Sequence, residues 1–193
     1  ARIATGQLAD AVQGATFDVT DFHADLKRER DEWEAMLAPR RDSGETPITS
    51  QRPIRDLRAT MPRDGVIVVG SGNTQGAVKQ TFPVYVPRTH LTSGTYSSMG
   101  WAVPAAIGAK LARPERKVVC ITGDGDFLQT MQEIGVAVMN NIPVVFVVQN
   151  NSGYMSIRGG QRKQHDRHVA SEFAVPSGEA YSPDFAEIGK NFG

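Results

Sequence analysis

Two runs of β-branched and apolar residues, VVCIT at 118–122 and PVVFVV at 143–148, constrain this chain more than any other feature. Each has the length of a buried strand. Between them Phe127, Met131, Ile134 and Val138 recur at helical intervals, so residues 117–149 predict a single strand-helix-strand unit. Such a unit holds its strands parallel, with a right-handed crossover. A third run, VIVV at 66–69, is followed by a Gly-rich loop and another helical stretch. The expected class is therefore α/β with a parallel sheet.

Parallel strands point the same way, so the segments that follow them emerge at one sheet edge, with neighbouring strands about 4.8 Å apart. GDGD at 123–126 and NNSG at 150–153 should then meet in space, although Asp124 and Asn151 are 27 positions apart. A carboxylate, an amide oxygen and a loop carbonyl, with no adjacent Cys or His, form a hard oxygen set suited to Mg²⁺ or Ca²⁺ rather than zinc. Three such donors leave an octahedral ion unsatisfied, and the oxygens of a phosphorylated ligand would complete it. A helix beginning near Asp126 would direct free N–H groups and its positive dipole end toward that ligand. Taken alone, GDGD reads as a strand-ending turn. The second Gly-rich loop, GSGNTQG at 70–76, would grip the same anion if the sheet places it on the same edge. Its glycines at 70, 72 and 76 miss the dinucleotide fingerprint, and no acid lies about 20 positions further on, which excludes a nicotinamide site.

Composition narrows the partners. The 193 residues carry 21 Lys+Arg against 21 Asp+Glu, so there is no broad charged surface for nucleic acid or anionic lipid. The single cysteine, Cys120, lies in a strand-like run and reads as core in a reducing compartment. The longest apolar stretch, 142–148, is too short to cross a bilayer, and residues 1–20 lack the pattern of a signal peptide; the chain reads as soluble and cytoplasmic. Ile3, Leu8 and Val12 predict a first helix. Thr20 or Asp21 caps a second, with Phe22, Leu26, Trp33 and Leu37 as its stripe. The breaker-rich PRRDSGETP at 39–47 places a boundary that divides the chain into a helical linker, 1–46, and a main domain, 47–193. Ser50 is expected to cap a helix carrying Pro53 in its first turn, and Ser182-Pro183-Asp184 opens a closing helix.

GDG after one strand and NN after the next resembles the signature of thiamine diphosphate-dependent enzymes. LTSGTYSSMGWAVPAAIGA at 91–109 is similar to the cofactor-binding segment of their acetolactate synthase-like branch, and PITSQRPIRDLR at 47–58 resembles the start of that branch's C-terminal diphosphate-binding domain. The resemblance covers residues 47–193 and implies a parallel sheet with helices on both faces, with residues 1–46 as the tail of a central domain and a linker. It implies that Asp124, the Asn151 side chain and the Gly153 carbonyl hold Mg²⁺. Backbone N–H groups of Ser71, Gly72, Asn73, Gly125 and Asp126 would meet the diphosphate, with Tyr154 beside them. The Ser97 carbonyl would accept a hydrogen bond from the aminopyrimidine 4'-amino group, and Met99 would be the apolar prop that bends the cofactor. The implied substrate is a small 2-oxo acid or ketone, in a decarboxylase or carboligase; a C–C hydrolase of a cyclic or 1,2-diketone shares the scaffold.

Two departures from the family pattern matter. Many relatives carry a small or hydroxyl residue where this chain has Asp126, and an acid beside a diphosphate costs energy unless it turns away or meets a cation. YMSIRGGQR at 154–162 faintly resembles the downstream segment of glyoxylate carboligases, which tolerate an acid there. The family's glutamate that drives aminopyrimidine tautomerisation belongs to an N-terminal pyrimidine-binding domain, and nothing in this sequence matches that domain. The chain is therefore expected to be a piece of a larger enzyme, cut short at its C-terminal end, inactive alone and dimeric or tetrameric when complete. A haloacid dehalogenase-type phosphatase is the alternative from another class, since its nucleophile loop also follows a strand as DGD, and a non-catalytic subunit that binds cofactor for a partner is a third. His165 and His168 read as a solvated basic loop and His90 as structural, while Ile157 and Arg158 are substrate-side candidates.

Overall fold

The structure, a computed structural model, describes residues 2–193. Between Pro39 and Arg40 the chain divides into two compact units, a few residues before the boundary expected at 46/47. The first unit holds helix α1 (Arg2–Ala11) and all but the last two residues of α2 (Thr20–Arg41), which runs through Pro39. On α2 the expected stripe is present, yet Phe22, Leu26 and Trp33 are exposed and only Leu37 is buried. Exposed pairs such as Lys27–Asp31, four residues apart at 2.6 Å, give α2 modest local support.

The second unit contains α3 (Gln51–Thr60), β1 (Val66–Val69), α4 (Asn73–Thr81), β2 (His90–Thr92), α5 (Ala102–Ala112) and β3 (Val118–Gly123). It continues with α6 (Asp124–Phe127), α7 (Ile134–Met139), β4 (Val145–Gln149), α8 (Met155–His165) and α9 (Phe185–Phe192). The four strands pair in the order β2-β1-β3-β4, and every pairing is parallel. The pleat explains why the runs are apolar throughout. Ile67, Val69, Val119 and Ile121 face one layer with Ile54 of α3 and Val78 of α4. Val66, Val68, Val118 and Cys120 face the other, with Val103 and Ala106 of α5 and with Phe127 and Ile134. Helices thus cover both faces, as parallel sheets require. Burial pushes the Cys120 thiol well above its ordinary value, and the nearby Asp126 charge adds to this, so the residue is inert core.

Two local expectations are corrected. Ser50 has helical dihedrals and makes no capping hydrogen bond. The closing helix does open at Ser182-Pro183-Asp184, capped by Asp184, whose carboxylate accepts from the Ala186 and Glu187 amides. The single helix expected over 127–138 is two short pieces with a 3-10 turn at Met131–Glu133, because Thr130 leaves helical geometry and its hydroxyl donates to the Gly100 carbonyl at 2.9 Å. Phe127 still reaches the core, meeting Phe146 and Phe185 edge to face. Strand β2, too short and mixed to announce itself, pairs Leu91 with Val68. Among the described residues no helix is long and apolar enough to cross a membrane.

Ile121, fully buried at the centre of the sheet, sets a clear expectation. Replacing it with Ala should lower unfolding free energy by roughly 2–5 kcal/mol, read from the denaturant midpoint at constant m-value.

Candidate functional site

The sheet register gathers three loops. Val69 lies opposite Ile121, and Gly123 lies opposite Gln149. The segments after β1, β3 and β4 therefore leave the same edge, and the Gly70 amide extends the ladder to the Ile121 carbonyl at 2.8 Å.

Asp124, 2% exposed, ties the second loop to the third. Its Oδ1 accepts the Gly125 amide at 2.9 Å and its Oδ2 accepts the Gly153 amide at 3.1 Å. The two asparagines divide their roles. Asn150 Oδ1 accepts the Ser152 amide at 3.2 Å and its Nδ2 donates to Ser182 Oγ, so this side chain shapes the turn. Asn151 is exposed to the cavity beside Asp124. A segment that the sequence did not reveal braces this loop from outside. Tyr154 donates its amide to the Ser171 carbonyl and Phe173 donates to Ser152, both at 2.8 Å, while Gly153 bridges to Glu172. The approach is so close that a Cβ on Gly153 would lie 2.5 Å from the Ser171 oxygen.

Asp126, also buried at 4% exposure, joins the first loop to the segment before α5. Its Oδ2 accepts the Ser71 amide at 2.7 Å, and its Oδ1 accepts the Gly100 amide. The acid is thus satisfied by backbone donors, and the Ser71 amide nominated for an anion is already engaged. The Ser71 hydroxyl donates to the carbonyls of Ser97 at 2.6 Å and Ser98 at 2.9 Å. Ser97 adopts left-handed dihedrals, φ 49° and ψ 48°, a conformation non-glycine residues occupy chiefly where surroundings impose it. Met99 follows, with the Gln129 amide 3.8 Å from its sulfur. Across the cavity the Tyr154 ring lies over Gly125 and packs edge to face on Phe173.

These pieces enclose one cavity of about 330 Å³. Ser71, Gly72, Asn73, Ser97 and Met99 line one side of it. Asp124, Gly125, Asp126, Asn151, Gly153 and Tyr154 line the other, so every residue singled out from the sequence for a cofactor or metal reaches the same space. Ile157 lines it too. Thr74, Met155 and Ser156 line it without having been expected, since nothing in their spacing marks them. Arg158 is absent from the lining: its guanidinium pairs with Glu172 at 2.9 Å. The Glu172 carboxyl is held below its ordinary value, first by a hydrogen bond from His168 and further by the Arg158 charge. His168 in turn accepts from Arg162 Nε at 3.1 Å, and His165 is exposed at the end of α8.

Among the described residues no cluster of three His, Cys, Asp or Glu side chains is placed to hold an ion, which leaves one carboxylate, one amide and one carbonyl. That set is hard and incomplete, as required for Mg²⁺ that shares a phosphorylated ligand. Glycine is needed beside the cavity at Gly125, where a Cβ would lie 2.5 Å from the Tyr154 ring, and at Gly72, which holds φ +77°. The residues fit a Mg²⁺-bridged diphosphate.

Two outcomes test the geometry. Gly153→Ala should cost roughly 1–3 kcal/mol of stability through overpacking. Gly159→Ala on α8, where an added methyl meets nothing within 4 Å, should instead stabilise by about 0.5–1 kcal/mol. Parallel denaturant titrations of the two variants check both. His90 lies on β2 outside the cavity lining, with Nε2 buried and unpartnered. Burial, helped by the Lys79 charge, holds its imidazole below the ordinary 6.5. A base depressed in the folded state contributes stability that is complete above 6.5 and is lost as pH falls through the folded value. His90→Gln should flatten the fall in urea midpoint between about pH 7 and 5.

Comparison with known proteins then gives a consistent answer. The family described as thiamine pyrophosphate enzyme, C-terminal TPP binding domain, matches residues 70–193; thiamine pyrophosphate is another name for thiamine diphosphate. The chain is 31% identical over 177 residues to an acetolactate synthase of Mycobacterium avium, covering 91% of this chain and 28% of that protein. It is 30% identical over 149 residues to the 3D-(3,5/4)-trihydroxycyclohexane-1,2-dione hydrolase of Lacticaseibacillus casei, covering 77% and 23%. Its fold is similar to that of the thiamine diphosphate-dependent 4-hydroxybenzoylformate decarboxylase of Rhodococcus jostii RHA1, with a TM-score of 0.68 at 24% identity over 78% of this chain and 27% of that one. The chain spans about a quarter of the length of the curated relatives it matches. The parallel sheet, the shared loop edge and the family match together establish that this chain belongs to the thiamine pyrophosphate enzymes, as their C-terminal TPP-binding domain.

Proposed function

We propose that this domain binds thiamine diphosphate through Mg²⁺ and forms the diphosphate side of the active site of a 2-oxo acid decarboxylase or carboligase of the acetolactate synthase kind. The observation that carries this reading is the single cavity into which β1, β3, β4 and the segment before α5 deliver every residue nominated from sequence for the cofactor or the metal. Asp124 and Asn151 offer side-chain oxygens to the ion, and the Gly153 carbonyl completes the protein's share. Both Asp124 oxygens accept amides and keep further lone pairs, so the carboxylate is oriented before an ion arrives. Amides of Gly72, Asn73 and Asp126 would remain for the diphosphate; the Ser71 amide is committed to Asp126 and the Gly125 amide to Asp124.

Thiamine diphosphate, when bound, supplies a thiazolium ring that accepts the electron pair released on C–C cleavage. The protein's part is orientation. Met99 would present an apolar surface to the cofactor, and the Ser97 carbonyl would accept a hydrogen bond from its 4'-amino group, so that both residues orient its rings. Tyr154, packed on Phe173 and over Gly125, walls the diphosphate end from water. The glutamate that protonates the aminopyrimidine is expected from a pyrimidine-binding domain, on the same chain or a partner, in a dimeric or tetrameric enzyme.

A second reading, hydrolysis of a cyclic 1,2-diketone, is favoured by the 30% identity to the trihydroxycyclohexanedione hydrolase. Product analysis with pyruvate and with a cyclic 1,2-dione separates the two. The phosphatase alternative has no such support, because the family match includes the GDGD loop.

Trp101 is two residues from Met99 and packs on the core beneath α5, so its fluorescence reports on the cavity. Thiamine diphosphate should quench it only with Mg²⁺ present, and chelation should reverse the effect. Asp124→Ala and Asn151→Ala should each weaken binding at least about tenfold, or roughly 1.4 kcal/mol. Wild-type affinity in both variants would overturn the proposal. The isolated domain should bind without turning over a 2-oxo acid, and turnover should appear only with the pyrimidine-binding domain present.

A further inference from the structure

Asp126 lies where an anionic side chain would be expected to repel the cofactor, yet it is buried at 4% exposure with two amide partners on two different loops. Among the described residues no cation pairs with its carboxylate. Its placement is built, since a Cβ on Gly70 would come within 2.3 Å of Asp126 Oδ2, so glycine there makes room for the acid. The bonds around Met99 complete the pattern. On its N-terminal side the Ser71 hydroxyl holds the Ser97 and Ser98 carbonyls, and Ser71 is itself held by Asp126. On its C-terminal side the Gly100 amide is held by Asp126 and the Gly100 carbonyl by Thr130. Both peptide neighbours of Met99 are pinned, and both pins trace to one carboxylate.

We infer that Asp126 is a positioning residue that locks the 97–100 segment to the 70–72 loop, so that Met99 and the Ser97 carbonyl are in place before cofactor binds. The inference rests on the roles proposed above for Met99 and Ser97. It also assigns a cost: the Ser71 amide is withdrawn from the diphosphate-binding set, and a negative charge stays close to the anion. Asp126 therefore favours the ring end of the cofactor while contributing nothing to the diphosphate end.

That asymmetry supplies the test. In the intact protein, Asp126→Asn keeps the shape but replaces one acceptor with a donor facing an amide. Without cofactor, hydrogen exchange at the Ser71 and Gly100 amides should rise at least tenfold, while exchange in β3 stays as in the wild type. With Mg²⁺, the Kd for thiamine diphosphate should rise at least tenfold, while the Kd for inorganic diphosphate, which lacks the rings, should stay the same or fall. Parallel changes in the two affinities, or unchanged exchange at the two amides, would overturn the inference. Should Asp126→Asn fail to fold, Ser71→Ala removes the hydroxyl bonds to Ser97 and Ser98 and should give the same divergence on a smaller scale; equal affinities there would count against the lock. If the wild type itself ignores thiamine diphosphate, the functional reading fails, and the exchange data still decide whether the lock exists.

Discussion

Parallel pairing of β3 with β1 and with β4 is the constraint on which the rest depends. With Val69 opposite Ile121 and Gly123 opposite Gln149, three strands end nearly level, and the loops they release share one edge. Side chains far apart in sequence become neighbours there because neighbouring strands are only about 4.8 Å apart. The sheet holds this register because both of its faces are covered. A slip of one residue would exchange the layer containing Ile54 and Val78 for the layer containing Val103 and Ala106.

On that edge the chemistry is set by two buried acids with different tasks. Asp124 fixes the loop after β4 by accepting the Gly153 amide, and its remaining lone pairs face the cavity. Asp126 accepts amides from Ser71 and Gly100. Both carboxylates border the one cavity, two positions apart in the chain, and separate sets of amide donors hold each in place. Close backbone approach is the condition for both, which is why glycine stands at 70 and at 153.

Much of this was legible in the sequence, for identifiable reasons. The runs VIVV, VVCIT and PVVFVV are short, β-branched and apolar, and all three became strands; β1 and β3 are buried nearly throughout, whereas the edge strand β4 is only partly covered. GDGD and NNSG were legible as partners because strand direction alone determines where a strand's end emerges. The helix expected over 127–138 was misjudged because Phe127 and Ile134 are spaced as on a helix, while Thr130 is drawn out of helical geometry by a carbonyl 30 positions earlier. β2 was missed because HLT has no alternation to detect, and it is a strand only because Val68 and its neighbours offer an open edge. The brace at 171–173 left no trace either. Its contacts to Ser152 and Tyr154 are backbone hydrogen bonds, which any residue can make.

The sequence by itself determined the α/β class, the common edge and the residue types that suit a magnesium-bound diphosphate, because periodicity and donor chemistry are local properties. Only the tertiary structure decided what those residues do to one another: that Arg158 is occupied by Glu172, that Asn150 shapes a turn while Asn151 faces the cavity, and that Asp126 spends its charge on two loops. The reason is physical. A hydrogen-bond donor is claimed by whichever acceptor the fold brings closest, and that competition is between loops that the linear order of the chain keeps apart.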